Sequence, residues 1–243
     1  MRDEVESADG SDAVECQLFG IAGSQVALMA MPAPVPWSDL EGPCATSLLW
    51  RDAAAAVRAH DHHVIVTVFG DADPMTQSRL LTQVTAALMA VSPESIGVYW
   101  CGATLVAPKP LFIDFATDVL PKGPPWPIWI DFRVGWNEDR SASWGFTAGL
   151  AALGLMDLEA KVAKESPIEL KKRFEGIAIY LMDKGLVIKD GDTLGETADE
   201  KLRVVYGPSA FGATGQVMQL RYDSTMKSAP PSEAAKKPWW KVW

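Results

Sequence analysis

Residues 166–185 read SPIELKKRFEGIAIYLMDKG, and this stretch decides the fold class. Ser166 followed three residues later by Glu169 is a capping box, with Pro167 at the first helical position, where a missing N–H is no loss. Leu170, Phe174, Ile177 and Leu181 then fall on one face of a helix. Gly185 is the residue type that leaves a helix at positive φ. A helix with one apolar stripe must bury it against another layer. The flanking segments read as strands, so the expected fold is α+β, or mixed α/β, with helices packed on a mixed β-sheet.

Upstream, Ile128, Ile130, Phe132 and Val134 alternate with Trp129, Asp131 and Arg133, the period of a strand with one polar face. A short helix is expected over Thr147 to Leu153, ended by Gly154, then a strand over Leu155 to Val162. Downstream, Leu186 to Lys189, Lys201 to Tyr206 and Val217 to Tyr222 supply closing strands. In the first half, a strand over Gln25 to Met31 is stopped by Pro32, Pro34 and Pro36. A helix carrying Leu49, Ala53 and Val57, widened by Trp50 and Ala54, takes Thr46 as its N-cap. His63 opens a strand over Val64 to Phe69, apolar enough to be covered on both faces. Asp73 and Pro74 start a second helix that buries Leu81, Val84, Leu88 and Val91, and Ile96 to Trp100 is a strand. The proline-rich crossover from Pro108 to Pro127 is the best internal boundary. One globular domain is expected over 16–222, with halves of about 16–107 and 126–222, each running β-α-β-α-β. Residues 1–15 read as a disordered acidic leader and 223–243 as a flexible tail ending in a Trp-rich cluster.

Among 243 residues, 48% are apolar, enough for a sizeable core. The 22 basic and 31 acidic residues leave a net charge of -9, which repels phosphate backbones and disfavours nucleic acid as a partner. Three cysteines without metal-ligand spacing read as reduced thiols, so the expected location is cytoplasmic. No apolar run is long enough to span a bilayer. Phosphate loops, dinucleotide fingerprints, nucleophile elbows and paired zinc cysteines are all missing, and no cofactor is expected.

All three histidines, His60, His62 and His63, lie within four residues. With Asp157 or Glu159 they are the candidate metal ligands of an alternative reading, a metal-assisted hydrolase. The competing reading gives His60 to the end of its helix and His63 to backbone contacts. Trp37, Asp39 and Glu41 could form a binding lip or a helix start. Asp157 and Glu159 could pair on one side of a strand, where solvated acidic faces are commoner. Asp190-Gly-Asp192-Thr193 reads as a turn. Trp126, Trp129, Trp136 and Trp144 crowd into nineteen residues, and strand alternation places Trp129 beside Asp131 and Arg133 as a candidate interface. Trp239, Trp240 and Trp243, interleaved with lysines, form a candidate docking peptide for a protein or for self-association.

Four blocks, Pro34 to Glu41, His60 to Val66, Thr147 to Glu159 and Asp190 to Gly195, resemble in order and spacing the bacterial family named domain of unknown function 4261. The resemblance covers about Gly20 to Leu220, with Asp157 standing where a glutamate is expected. It carries over no catalytic residue. It implies a bacterial cytosolic accessory protein, a group that includes toxin-immunity proteins. The expected function is therefore a non-catalytic protein-binding module of accessory or immunity type, whose acidic charge suits a basic partner.

Overall fold

The computed structural model describes residues 15–195 and 202–222. The leader expected over 1–15, Glu15 excepted, and the tail over 223–243 lie outside them. The described chain divides into two compact units, one of residues 15–99 and 105–123, the other of residues 100–104 and 124–222.

In the first unit, β1 (Cys16–Ile21) and β2 (Ser24–Met31) form a hairpin. Its two turn residues, Ala22 and Gly23, have φ of 51° and 84°, the type I′ signature that matches strand twist. The sequence expectation missed β1, whose Cys-Gln-Leu-Phe-Gly-Ile run lacks alternation. Between the hairpin and β3 (His63–Phe69) lie α1 (Trp37–Thr46) and α2 (Ala53–Val57). Thr46 is thus the last residue of α1 rather than an N-cap, and its hydroxyl donates back to the Gly42 carbonyl at 2.9 Å. The stripe was right in part: Ala53 and Val57 join Leu40, Cys44 and Val106 in one core cluster, with Trp37, Trp50 and Ala54 packed against it.

Among the described residues β3 pairs only with β2, in the order β1-β2-β3, and Val64, Ile65 and Phe69 are each 43% exposed. The expectation of a strand covered on both faces is corrected. The continuous apolar run reflects an edge strand instead. α3 (Pro74–Val91) starts as expected, with Asp73 accepting from the Thr76 N–H at 3.0 Å. It buries Ser78, Thr82, Thr85, Ala86 and Met89, however, while Leu81, Val84 and Leu88 are half-buried and Val91 is exposed. The polar stripe is tolerated because Thr82 donates to the Ser78 carbonyl at 2.8 Å, so its hydroxyl is satisfied within the helix. β4 (Gly97–Trp100) and β5 (Leu105–Pro108) form a separate pair. The proline-rich crossover is helical: α4 (Lys109–Asp114) runs into a π-helical turn, Phe115–Val119, since proline in a first turn forfeits no hydrogen bond.

The second unit opens with the short α5 (Trp126–Trp129), followed by β6 (Asp131–Trp136), β7 (Ser143–Ala148) and β8 (Leu158–Ala163). Next come α6 (Pro167–Lys184), β9 (Thr193–Leu194), β10 (Leu202–Pro208) and β11 (Gln216–Tyr222). The sheet order is β6-β7-β8-β11-β10-β9, antiparallel except for the parallel β8–β11 pair. The fold is α+β, as expected. The capping box forms, Gly185 has φ of 76°, and Leu170, Phe174, Ile177 and Leu181 are all buried. α6 packs against β6 and β7, and Gly145 permits the approach. A Cβ there would meet the Phe174 ring at 3.1 Å and the Arg133 carbonyl at 2.8 Å. Thr147 belongs to β7, so the helix expected over Thr147 to Leu153 shrinks to a 3-10 turn, Ala151–Leu153, ended by Gly154 at φ 76°. Residues Leu186 to Lys189 form no strand.

Each unit therefore has three antiparallel strands, with α1 and α2 inserted before the third in the first unit, then an 18-residue helix capped by Asp73 or Ser166, and further paired strands. In the first unit the expected β-α-β-α-β order is present as β2, α1 with α2, β3, α3 and β4, with β1 and β5 added, whereas in the second β7 is added and no strand forms over 186–189.

Candidate functional site

Strand pairing puts directly opposed residues on the same face of a sheet. Arg133 opposes Phe146, Phe146 opposes Glu159, and Glu159 stands level with Gln219, while Gly135 opposes Trp144. These side chains share the face of the six-stranded sheet turned away from α6. Trp144 lies over Gly135, whose missing side chain leaves room for the indole, and its Nε1 donates to the Trp136 carbonyl at 3.0 Å. Phe211, from the β10–β11 loop, completes a layer of rings, with centroids 5.0 Å from Phe146 and 5.7 Å from Trp144. The Arg133 guanidinium stands 6.0 Å from the Phe146 centroid and donates to Asp131 at 2.6 Å. Trp144, Phe146 and Phe211 are half-buried and Trp136 is 45% exposed.

Glu159 anchors this layer. It is 3% exposed, and its carboxyl group accepts from the Ser209 hydroxyl and from the Ala210 N–H at 2.8 Å. Ser209 Oγ in turn accepts from the N–H groups of Phe211 and Ala213, both at 3.0 Å. One buried acid thus organises the loop that carries Phe211. Asp157 has a different set of partners: the Thr147 hydroxyl at 2.8 Å and the N–H groups of Leu150 at 3.0 Å and Ala151 at 3.3 Å. Burial pushes its carboxyl above the ordinary range, and these donors oppose the shift. The expectation of a solvated acidic strand face is overturned: both acids are buried, each spent on a loop, and they share no hydrogen-bond partner.

Asp131 and Arg133 do face the same way, as the alternation required. Burial raises the Asp131 carboxyl, with the Arg133 guanidinium acting against it. Trp129 does not join them. It is fully buried in the helical turn before β6, because the strand starts at Asp131, three residues later than the alternation from Ile128 suggested. Trp37 opens α1 with the Arg58 guanidinium 3.7 Å from its ring centroid, and Asp39 and Glu41 are exposed on that helix. They form a helix start. Trp239, Trp240 and Trp243 lie outside the described residues.

The histidines are engaged locally. His60 Nε2 accepts from the Val35 N–H at 2.8 Å while Nδ1 donates to the Val57 carbonyl, and His63 Nδ1 donates to the Ala33 carbonyl at 2.7 Å. Both rings fasten the proline segment that leaves β2. His62 is exposed and bonded to Asp61 at 2.5 Å. Among the described residues no group of three or more His, Cys, Asp or Glu is placed to hold a metal ion. Cys44 is buried, which raises its thiol pKa, and both nitrogens of His60 are bonded elsewhere, so no Cys–His couple forms. Asp192 accepts from the Lys189 N–H and Asp190 from the Tyr206 N–H of β10, both at 2.8 Å, so that motif is a turn tied to β10.

The segment from Phe146 through the Glu159 anchor to β11 holds most of this layer of rings. Residues 146–221 match the family described as a domain of unknown function, DUF4261. The DUF4261 match takes in two of the four sequence blocks, Thr147 to Glu159 and Asp190 to Gly195, and leaves the two earlier blocks outside. Neither a curated protein nor a solved structure matches the chain. No helix among the described residues is long and apolar enough to cross a membrane.

The layer of rings escaped sequence reading because Phe211 sits in a polar loop with no periodicity. The one available signal was Trp144 and Phe146 at alternate positions of β7.

Proposed function

We propose that this chain is a non-catalytic accessory module that binds a basic protein partner through the Arg133, Trp144, Phe146 and Phe211 face. The observation that carries this reading is an arginine and a set of half-exposed rings held in place by a buried acid. Aromatic residues and arginine dominate the energetic centres of protein interfaces, and rigid placement lowers the entropy lost on binding. The net charge of -9 favours a basic partner by steering its approach and rejecting acidic competitors.

Affinity capture from the source cells with wild-type protein and with Phe211→Ala and Arg133→Glu variants tests it. A stoichiometric basic partner, retained by the wild type and lost by both variants, is expected. Capture that ignores both substitutions, or yields no stoichiometric partner, overturns the assignment.

A further inference from the structure

The β1-β2-β3 sheet contains no Asp, Glu, Lys or Arg in any of its strands. Natural sheets protect exposed edges with charge, proline or bulges, because an unpaired strand is a template for another. β3 has none of these devices within His63-Val-Ile-Val-Thr-Val-Phe69, pairs in unbroken register with β2, and has no partner strand on its other edge among the described residues. Its register with β2 and β1 places Leu18, Ala27 and Thr67 on one face, with Ile65 and Phe69 to either side. Leu18 is 63% exposed there.

In the second unit the third strand of the meander, β8, is not an edge, because β11 pairs with it. Among the described residues no strand fills the corresponding slot beside β3. The geometry points to β3 as an acceptor for an added strand, supplied by a partner protein as an extended apolar segment with a basic residue at each end. The charges decide the occupant. Asp61 and Asp71, both exposed, bracket the strand two residues beyond either end. A second copy pairing antiparallel about Val66 would set Asp61 of one chain against Asp71 of the other, at both ends, which disfavours self-pairing. A lysine or arginine at each end of the incoming segment instead meets an aspartate.

The probe is a fluorescein-labelled peptide of seven alternating valine and threonine residues, matching the length of β3, with two lysines at each end. A second peptide carries glutamates in place of the lysines. Fluorescence anisotropy with the full chain should show saturable binding of the lysine-ended peptide, about tenfold tighter than the glutamate-ended one, since each end pair changes from attractive to repulsive. The Asp61→Lys/Asp71→Lys double variant should reverse the preference, and Ile65→Lys should weaken both. Hydrogen exchange should show new protection confined to residues 63–69. No binding of the lysine-ended peptide, equal binding of the two, or protection elsewhere overturns the proposal. So does a concentration-dependent dimer that protects 63–69 without peptide. Phe211→Ala leaves this binding unchanged, which separates it from the function proposed above.

Discussion

Replacing Glu159 with alanine removes the acceptor for two donors of the β10–β11 loop, the Ser209 hydroxyl and the Ala210 N–H. Glu159 is 3% exposed, so water does not freely replace the lost oxygens. Leaving a buried donor unsatisfied costs about 1–3 kcal/mol, and a loop that relaxes toward solvent recovers part of it. We expect a net loss of roughly 2–3 kcal/mol. Ser209 also holds the N–H groups of Phe211 and Ala213, so a freed Ser209 releases Phe211 from Phe146 and Trp144, contacts worth about 0.5–1.5 kcal/mol each. Glu159→Gln keeps the shape and one acceptor oxygen, and should cost only about 1 kcal/mol. Urea unfolding gives the stability of both variants, and hydrogen exchange over residues 209–213 reports the loop. An alanine variant within about 0.5 kcal/mol of wild type, with unchanged loop protection, would refute the role of Glu159 as anchor.

Ser143 is buried and its hydroxyl has no hydrogen-bond partner among the described residues, so Ser143→Ala should raise stability by about 1 kcal/mol in the same assay. At Gly149, φ is 120° and a Cβ would stand 2.2 Å from the Trp129 carbonyl; Gly149→Ala should cost roughly 3 kcal/mol or more, read as a lowered urea midpoint. Asp157 is held above the ordinary carboxyl range, so the unfolded chain gives up that proton first as pH rises. Its contribution to stability therefore falls from about pH 4 upward and levels off above the folded-state pKa. Asp157→Asn removes this dependence, and the stability of wild type minus variant should decline over that window; a difference independent of pH would contradict the burial argument. Ala22→Asn, in a turn where φ is 51°, should stabilise the β1–β2 hairpin by about 0.5 kcal/mol on thermal unfolding.

What the sequence by itself determined is local. Ser166, Pro167, Glu169 and Gly185 bound α6, and Asp73 with Pro74 starts α3, because caps are satisfied by backbone groups a few residues away. The α6 stripe was legible for a related reason: one amphipathic face against one sheet has a single way to bury its large side chains. Asp131 and Arg133 shared a face as alternation required. The tertiary structure decided the rest. Trp129 became core rather than interface, since it lies in the helical turn before β6, where the alternation of a strand does not apply. β3 became an edge, although its apolar run reads as central, because strand order is a long-range property that no local pattern encodes. Glu159 met Ser209 across fifty residues of chain and Asp157 met Thr147 across ten. Acids that looked like a solvated pair thus became separate buried anchors, because each hydrogen bond exists only once the sheet and its loops have closed around it.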